Sequence, residues 1–175
     1  MAKHKPLPPF EELDRLLRYE PETGKIYWKI KPCKRVIAGA EAGTKEKDHK
    51  TFYRRIKIKN LNYYAHRIAW LLYCKEDPGE KHIDHKNHNG LDNRICNLRV
   101  ATNAQNQYNK EVAQSNITGY KGVFKNKSYY RSKPYFARAS IDGNRFCLGC
   151  FHTAEEASEA YQRFCKEHHG EFYNE

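Results

Sequence analysis

Between Lys81 and Asn106 the chain reads KHIDHKNHNGLDNRICNLRVATNAQN, and four of its residues could together hydrolyse a phosphodiester. Asp84 and His85 are adjacent, Asn97 follows twelve residues on, and Asn106 lies nine further. A carboxylate and an amide oxygen suit Mg²⁺, which prefers oxygen ligands and keeps several waters. Asp84 at a strand end and Asn106 in the first turn of a following helix would supply those two groups. A cation there would neutralise charge developing on a phosphate and stabilise the leaving 3′ oxygen. On a regular strand His85 points away from Asp84. It would take a proton from an attacking water, which requires a neutral imidazole near pH 7. Asn97 would fix the tautomer and ring orientation of His85. Singly, each of these residues would pass for a turn or cap residue. The set of four, in this order, is what points to chemistry.

The elements that must position them can be read from the pattern. His82–His85 and Leu98–Val100 read as short strands, Asn87–Asp92 as the loop between them. Thr102-x-x-Gln105 is a capping box, so a helix should start at Thr102. Strand, loop, strand, helix is the expected order. Upstream, Phe10, Leu13, Leu16 and Leu17 share one face of a short helix. Thr23-Gly24 marks a turn between short strands. Residues 31–50 read as a loop and 51–64 as a strand. Ile68, Ala69, Leu71 and Leu72 make Ala65–Cys74 a buried helix, ended by Asp77-Pro78-Gly79.

Residues 109–118 read as a linker, after which the chain changes character. GYKGVF, PYFARASI and RFCLGCF alternate like strands, with Asp142-Gly143 as a turn, and suggest a three-stranded antiparallel sheet. Alternation puts Arg138 and Ser140 on one face, Ala137 and Ala139 on the other. Thr153-x-x-Glu156 is a second capping box. Ala154, Ala157, Ala160, Tyr161 and Phe164 then form an apolar stripe able to cover the sheet.

The chain has 175 residues, 39% hydrophobic and 13% aromatic, with a net charge of +11. It should fold as one ordinary domain or as two or three small ones with thin cores. The charge makes a polyanion the leading partner. There is no apolar run of membrane length and no signal-peptide core, so a cytoplasmic, DNA-associated protein is expected, with no membrane role. The six cysteines (33, 74, 96, 147, 150, 165) are expected as reduced thiols. Two zinc arrangements compete with the Mg²⁺ reading. His82-x-x-His85-x-x-His88 has the spacing, but a strand-to-loop path scatters the rings. Cys147-x-x-Cys150 with Cys165-x-x-His168 offers four ligands, but strand residues three apart face opposite sides, so buried thiols are the default. Structural zinc is therefore not expected.

Asp84-His85, Asp92-Asn93-Arg94, Asn97-Leu98-Arg99 and Asn106 resemble the HNH nuclease family in order and spacing. The resemblance implies a ββα-metal unit, with Asp84 and Asn106 as ligands of one divalent metal (Mg²⁺ or Mn²⁺). It makes His85 the general base and Asn97 its positioning residue, and implies DNA products with 5′-phosphate and 3′-hydroxyl ends. Many members carry His where this chain has Asn106, which leaves metal preference open. Residues 119 to about 172 resemble the AP2 DNA-binding domain, through Tyr120-Lys121-Gly122-Val123, Tyr135-Phe136-Ala137, Leu148-Gly149-x-Phe151 and Thr153-Ala154-Glu155-Glu156-Ala157. That resemblance implies DNA-facing Lys121, Arg138, Ser140 and Arg145 on a sheet laid in the major groove. YEPETGKIYWK and the Ala65–Cys74 helix resemble the lead-in of phage-type HNH homing endonucleases that carry an AP2 module.

The expected fold class is α+β, in four parts. Residues 1–75 form an N-terminal DNA-binding or scaffold segment of α/β type, and 76–112 the ββα-metal unit. Residues 113–118 are a linker, and 119–175 the AP2-like sheet plus helix. Arg54, Arg55 and Lys57 on the 51–64 strand, with Arg67, Arg94 and Arg99, are further candidate contacts to double-stranded DNA. A site-specific DNA endonuclease, of homing type, is the reading this supports. A monomer would nick and a homodimer could cut both strands. The rival is a non-catalytic DNA-binding regulator using the AP2-like sheet.

Overall fold

The structure is a computed structural model and describes residues 5–48, 51–102, 105–106, 116–126, 132–141 and 143–169. The chain divides into two compact units, Met1–Thr102 and Asn103–Glu175.

In the first unit, helix α1 (Phe10–Leu16) buries Leu13 and Leu16. Its first turn carries Glu11 and Glu12 and its last turn Arg15, an order that suits the helix dipole. The chain runs straight into strand β1 (Leu17–Glu20), which pairs antiparallel with β2 (Lys25–Trp28) around the expected Thr23-Gly24 turn. The Gly24 amide closes this turn on the Glu20 carbonyl at 2.8 Å.

Two readings upstream of the site need correction. Thr44–Asp48, expected as loop, is strand β3, paired with β4 (Thr51–Ile58). Its sequence, TKEKD, shows no apolar alternation because β3 is an edge strand, and charge on such an edge deters further pairing. The single strand expected over 51–64 is folded into β4 and β5 (Leu61–Tyr64). Lys59 and Asn60 turn the chain with φ of 47° and 65°. A two-residue hairpin turn wants positive φ at both central residues, and here neither is the glycine that usually signals it.

Helix α2 (Ala65–Cys74) has the expected bounds. It stops because Lys75 turns left-handed at φ 59° and returns its amide to the Leu71 carbonyl, ahead of Asp77-Pro78-Gly79. Ile68, Ala69 and Leu71 pack with Leu13, Leu17, Ile26 and Ile56 in the unit's core. Each of these Leu and Ile side chains contributes roughly 1.5–3 kcal/mol by leaving water. Strands β6 (His82–His85) and β7 (Leu98–Ala101) form an antiparallel pair with Asp84 opposite Arg99 and His85 opposite Leu98. Ile83 and Leu98 join the same core, so this pair is anchored by the segment that precedes it.

The second unit contains a three-stranded antiparallel sheet in the order β10-β9-β8, from β8 (Val123–Lys125), β9 (Tyr135–Ile141) and β10 (Asn144–Phe151). Helix α3 (Ala154–His169) covers one face, with Ala154, Ala157, Tyr161 and Cys165 against Val123, Ala137 and Ala139. Its start is held as the sequence suggests. The Glu156 amide bonds Thr153 Oγ1 at 3.1 Å, and Glu156 Oε2 reaches back to the His152 amide at 3.0 Å. Gly122 has φ +70°, and a Cβ there would lie 2.1 Å from the Tyr161 ring.

The cysteines do not follow the regular-strand argument. The pairing of β10 with β9 shifts register between Cys147 and Gly149. This bulge places Cys147 opposite Arg138 and Cys150 opposite Phe136, so both belong to the outer face and both are exposed. They are not the buried thiols expected. Cys165 is buried, on the inner side of the sheet. Among the described residues no helix is long and apolar enough to cross a membrane.

Candidate functional site

His85 ends β6 with its side chain inside the protein, 5% exposed. Its Nε2 lies 3.1 Å from Asn93 Oδ1. An amide oxygen only accepts, so the proton sits on Nε2 and the lone pair on Nδ1. Burial pushes the imidazole below its usual 6.5, against the Asn93 bond and the charges of Asp84 and Asp92. The ring is therefore neutral near pH 7, the state a general base needs. Aromatic edges surround it. His66, near the start of α2, meets His85 edge-on at 5.0 Å between ring centres, and Tyr53 of β4 lies at 6.0 Å. Tyr64 stacks on His66 at 5.1 Å. Tyr64 is itself held by Asp48 and Arg55 through its hydroxyl.

Asp84 is 7% exposed and is opposed by Arg99 at 6%. Arg99 Nε donates to Asp84 Oδ2 at 2.9 Å, and its Nη2 is 2.9 Å from the same oxygen. The pair therefore loads Oδ2 of the carboxylate. A hard divalent cation accepts such a donor when water, amide or phosphate oxygens complete its shell. Among the described residues no three of His, Cys, Asp and Glu gather to hold a metal. Asn106 lies in a helical stretch with Gln105 and is half-buried.

Asn97 is buried but does not have the role expected of it. Its Oδ1 accepts from the Asn87 amide at 3.0 Å, and its Nδ2 donates to the Asp92 carbonyl at 2.7 Å. The side chain braces the loop between β6 and β7, and Asn93 meets the histidine instead. Loop closure decides this. The β6–β7 loop must fold back before an Asn in its far half can reach His85, and spacing along the chain does not reveal that. Within the loop Asp92 takes two bonds from Arg94, which hold its carboxyl at about 2.

The expected DNA contacts divide sharply. Arg67 and Arg99, candidate DNA contacts, lie in the interior, and Arg67 has the structural role that was its alternative. Arg67 is 3% exposed and donates to the Lys81 and Gly79 carbonyls at 2.9 and 2.7 Å, fixing the approach to β6. A guanidinium in a helix's first turn reads as surface charge until the loop it ties down is in place. Arg54 is drawn to Glu41 and the Gly43 carbonyl, and Arg55 to Asp48, Glu46 and Tyr64. Lys57 is exposed, and Arg94 is exposed but chelated to Asp92. In the second unit Lys121 is half-buried, and burial lowers its pKa. Arg138, Ser140 and Arg145 stand exposed on the outer sheet face, as alternation predicts. Phe124 stacks on Phe136 on that face at 5.3 Å, with Arg138 over Phe124 at 5.0 Å.

The stretch that holds these residues is similar in sequence to a known family. Residues 63–108 match the HNH endonuclease family model. The HNH match takes in α2, the β6–β7 pair and Asn106. Nucleases of the HNH family generally use a divalent metal, and the donor chemistry of Asp84 is compatible with one. An uncharacterized HNH endonuclease of Acanthamoeba polyphaga mimivirus is 32% identical over 108 residues, which is 61% of this chain and 54% of the relative. The chain thus spans about half the length of that curated relative. No solved structure matches.

Proposed function

We propose that the protein is a site-specific DNA endonuclease, of homing type, whose HNH site hydrolyses a phosphodiester with one divalent metal and leaves 5′-phosphate and 3′-hydroxyl ends. The observation that carries this is the His85 ring: buried, with Nε2 on Asn93 and Asp84 adjacent in the strand. Nδ1 of His85 takes the proton from the attacking water. Asn97 keeps the loop closed beneath the ring. Asp84 and Asn106 are the residues that would hold Mg²⁺ or Mn²⁺, Asn106 by its spacing and family resemblance. When bound, the cation supplies neutralisation of phosphate charge and stabilises the leaving oxygen.

DNA is held by exposed basic and hydroxyl side chains. Lys57 serves in the first unit, and Arg138, Ser140 and Arg145 on the exposed sheet face of an AP2-like second unit. A two- or three-stranded sheet fits the major groove. One site cuts one strand at a time, so a monomer nicks and a homodimer cuts both strands.

The test is supercoiled plasmid and candidate target DNA with Mg²⁺ or Mn²⁺. His85→Ala should abolish nicking, because a positioned base supplies roughly 10²–10⁴-fold of the rate. Wild-type cutting by His85→Ala would refute the assignment of the base. Tight binding with no cleavage by the wild-type protein in any divalent metal would favour a DNA-binding regulator.

A further inference from the structure

We propose that the β1–β2 hairpin is a working part of the nuclease centre, in which Tyr19 and the Gly24 turn hold Asn93 so that Asn93 can set the ring of His85; this rests on His85 being the base. Asn93 is 2% exposed and lies in no helix or strand. Asn97 braces the peptide before it through the Asp92 carbonyl, and the hairpin holds the backbone after it. The Tyr19 hydroxyl donates to the Asn93 carbonyl at 2.7 Å. The Ile95 amide donates to the Pro21 carbonyl at 3.1 Å, two residues further along the same backbone. Between these bonds the Gly24 turn lies directly on the chain. A Cβ at Gly24 would come 2.5 Å from the Arg94 nitrogen and 2.6 Å from the Asn93 carbonyl carbon, and Gly24 has φ +72°. Only glycine meets both the conformation and the approach.

Three contacts from one hairpin thus grip the two peptide units that follow Asn93, while its side chain is the group on His85 Nε2. A base acts only within hydrogen-bond reach of the proton it takes, and a ring held at one nitrogen is aimed at the other. Burial raises the Tyr19 phenol well above its usual 10, so it stays a donor throughout the working pH range. Seventy-four residues separate Tyr19 from Asn93, so the contact is made by the fold and not by local turn chemistry. Tyr19 and Asn93 are positioning residues. They act through His85 and need not touch DNA.

The experiment uses the full chain and three variants, His85→Ala, Asn93→Ala and Tyr19→Phe. Three readouts are taken: single-turnover nicking with Mg²⁺, DNA affinity with Ca²⁺ in place of Mg²⁺, and the His85 ring resonances by ¹⁵N-edited NMR. A buried, hydrogen-bonded Nε2 proton exchanges slowly with water and should be visible in the wild type. Asn93→Ala should lose it and slow nicking by roughly 10–100-fold, the range seen when a partner that orients a functional histidine is removed. Tyr19→Phe, which deletes one oxygen and keeps the ring, should shift that resonance and slow nicking several-fold. Both should leave DNA affinity unchanged, so that the loss is in kcat and not in KM. An inactive His85→Ala together with wild-type nicking and an unmoved ring resonance in Tyr19→Phe and Asn93→Ala would overturn the proposal. Normal nicking by His85→Ala would instead remove the reading on which it rests. If Asn93→Ala does not fold, Tyr19→Phe decides alone.

Discussion

Arg99→Met isolates the energetics of the centre. It removes a guanidinium that is 6% exposed and leaves Asp84, 7% exposed, without its counter-ion. Unit charges about 4 Å apart at an effective dielectric near 20 attract by roughly 4 kcal/mol, and desolvating both groups consumes much of that. The intact pair is thus worth little net, whereas breaking it costs roughly 3–5 kcal/mol because one charge stays buried. For a unit of about 100 residues that is a fall in melting temperature of at least about 12 °C. Asp84→Asn with Arg99→Met removes both charges and should recover more than half of the loss, an interaction energy that a double-mutant cycle in urea reads directly. The single Arg99→Met variant should also be stabilised by Mg²⁺ more than the wild type, because a cation bound only by the folded state adds to stability. A cost below about 1 kcal/mol, or full additivity in the cycle, would refute the buried pair, since exposed pairs give values of that size.

Other outcomes follow from the same geometry. The Arg94 bonds hold the Asp92 carboxyl at about 2, below its usual 3.8, so its contribution to stability is complete above 3.8 and lost as pH falls towards 2. Asp92→Asn should flatten the acid-denaturation curve in that window. The effect should be at most about 2.5 kcal/mol at roughly 1.4 kcal/mol per pH unit, and less because Arg94 is half in water. Gly122→Ala should destabilise the second unit by roughly 2 kcal/mol or more, through the Tyr161 ring and a strained backbone, as measured by melting monitored at Tyr161. Arg138→Gln and Arg145→Gln should each lower the slope of log affinity against log salt by about 0.9 if they meet phosphate, read from DNA titrations at several salt concentrations.

Local pattern was a good guide wherever an element buries one face. The bounds of α2, the β6–β7 pair and the outward Arg138 and Ser140 all follow from spacing, because periodicity records which side meets the core. It failed at β3, whose charged edge has no apolar side to record, and at Lys59-Asn60, which turn without glycine. It failed again at Cys147 and Cys150, where a bulge cancels the alternation the argument assumed. The interior positions of Arg67 and Arg99 were hidden for another reason. A charge is read as exposed until its partner is known, and their partners lie fourteen and fifteen residues away along the chain.

By itself, the sequence determined the parts of the site: an aspartate and a histidine at a strand end, an Asn-rich return loop, a basic chain and two apolar cores. The family match over residues 63–108 agrees with the nuclease reading of those parts. Only the tertiary structure decided which asparagine meets His85, which arginine balances Asp84, and that a hairpin seventy-four residues upstream holds the loop. Residue types and short spacings are fixed by local chemistry. A hydrogen bond between distant segments depends on how the core brings them together, and no local pattern encodes that distance.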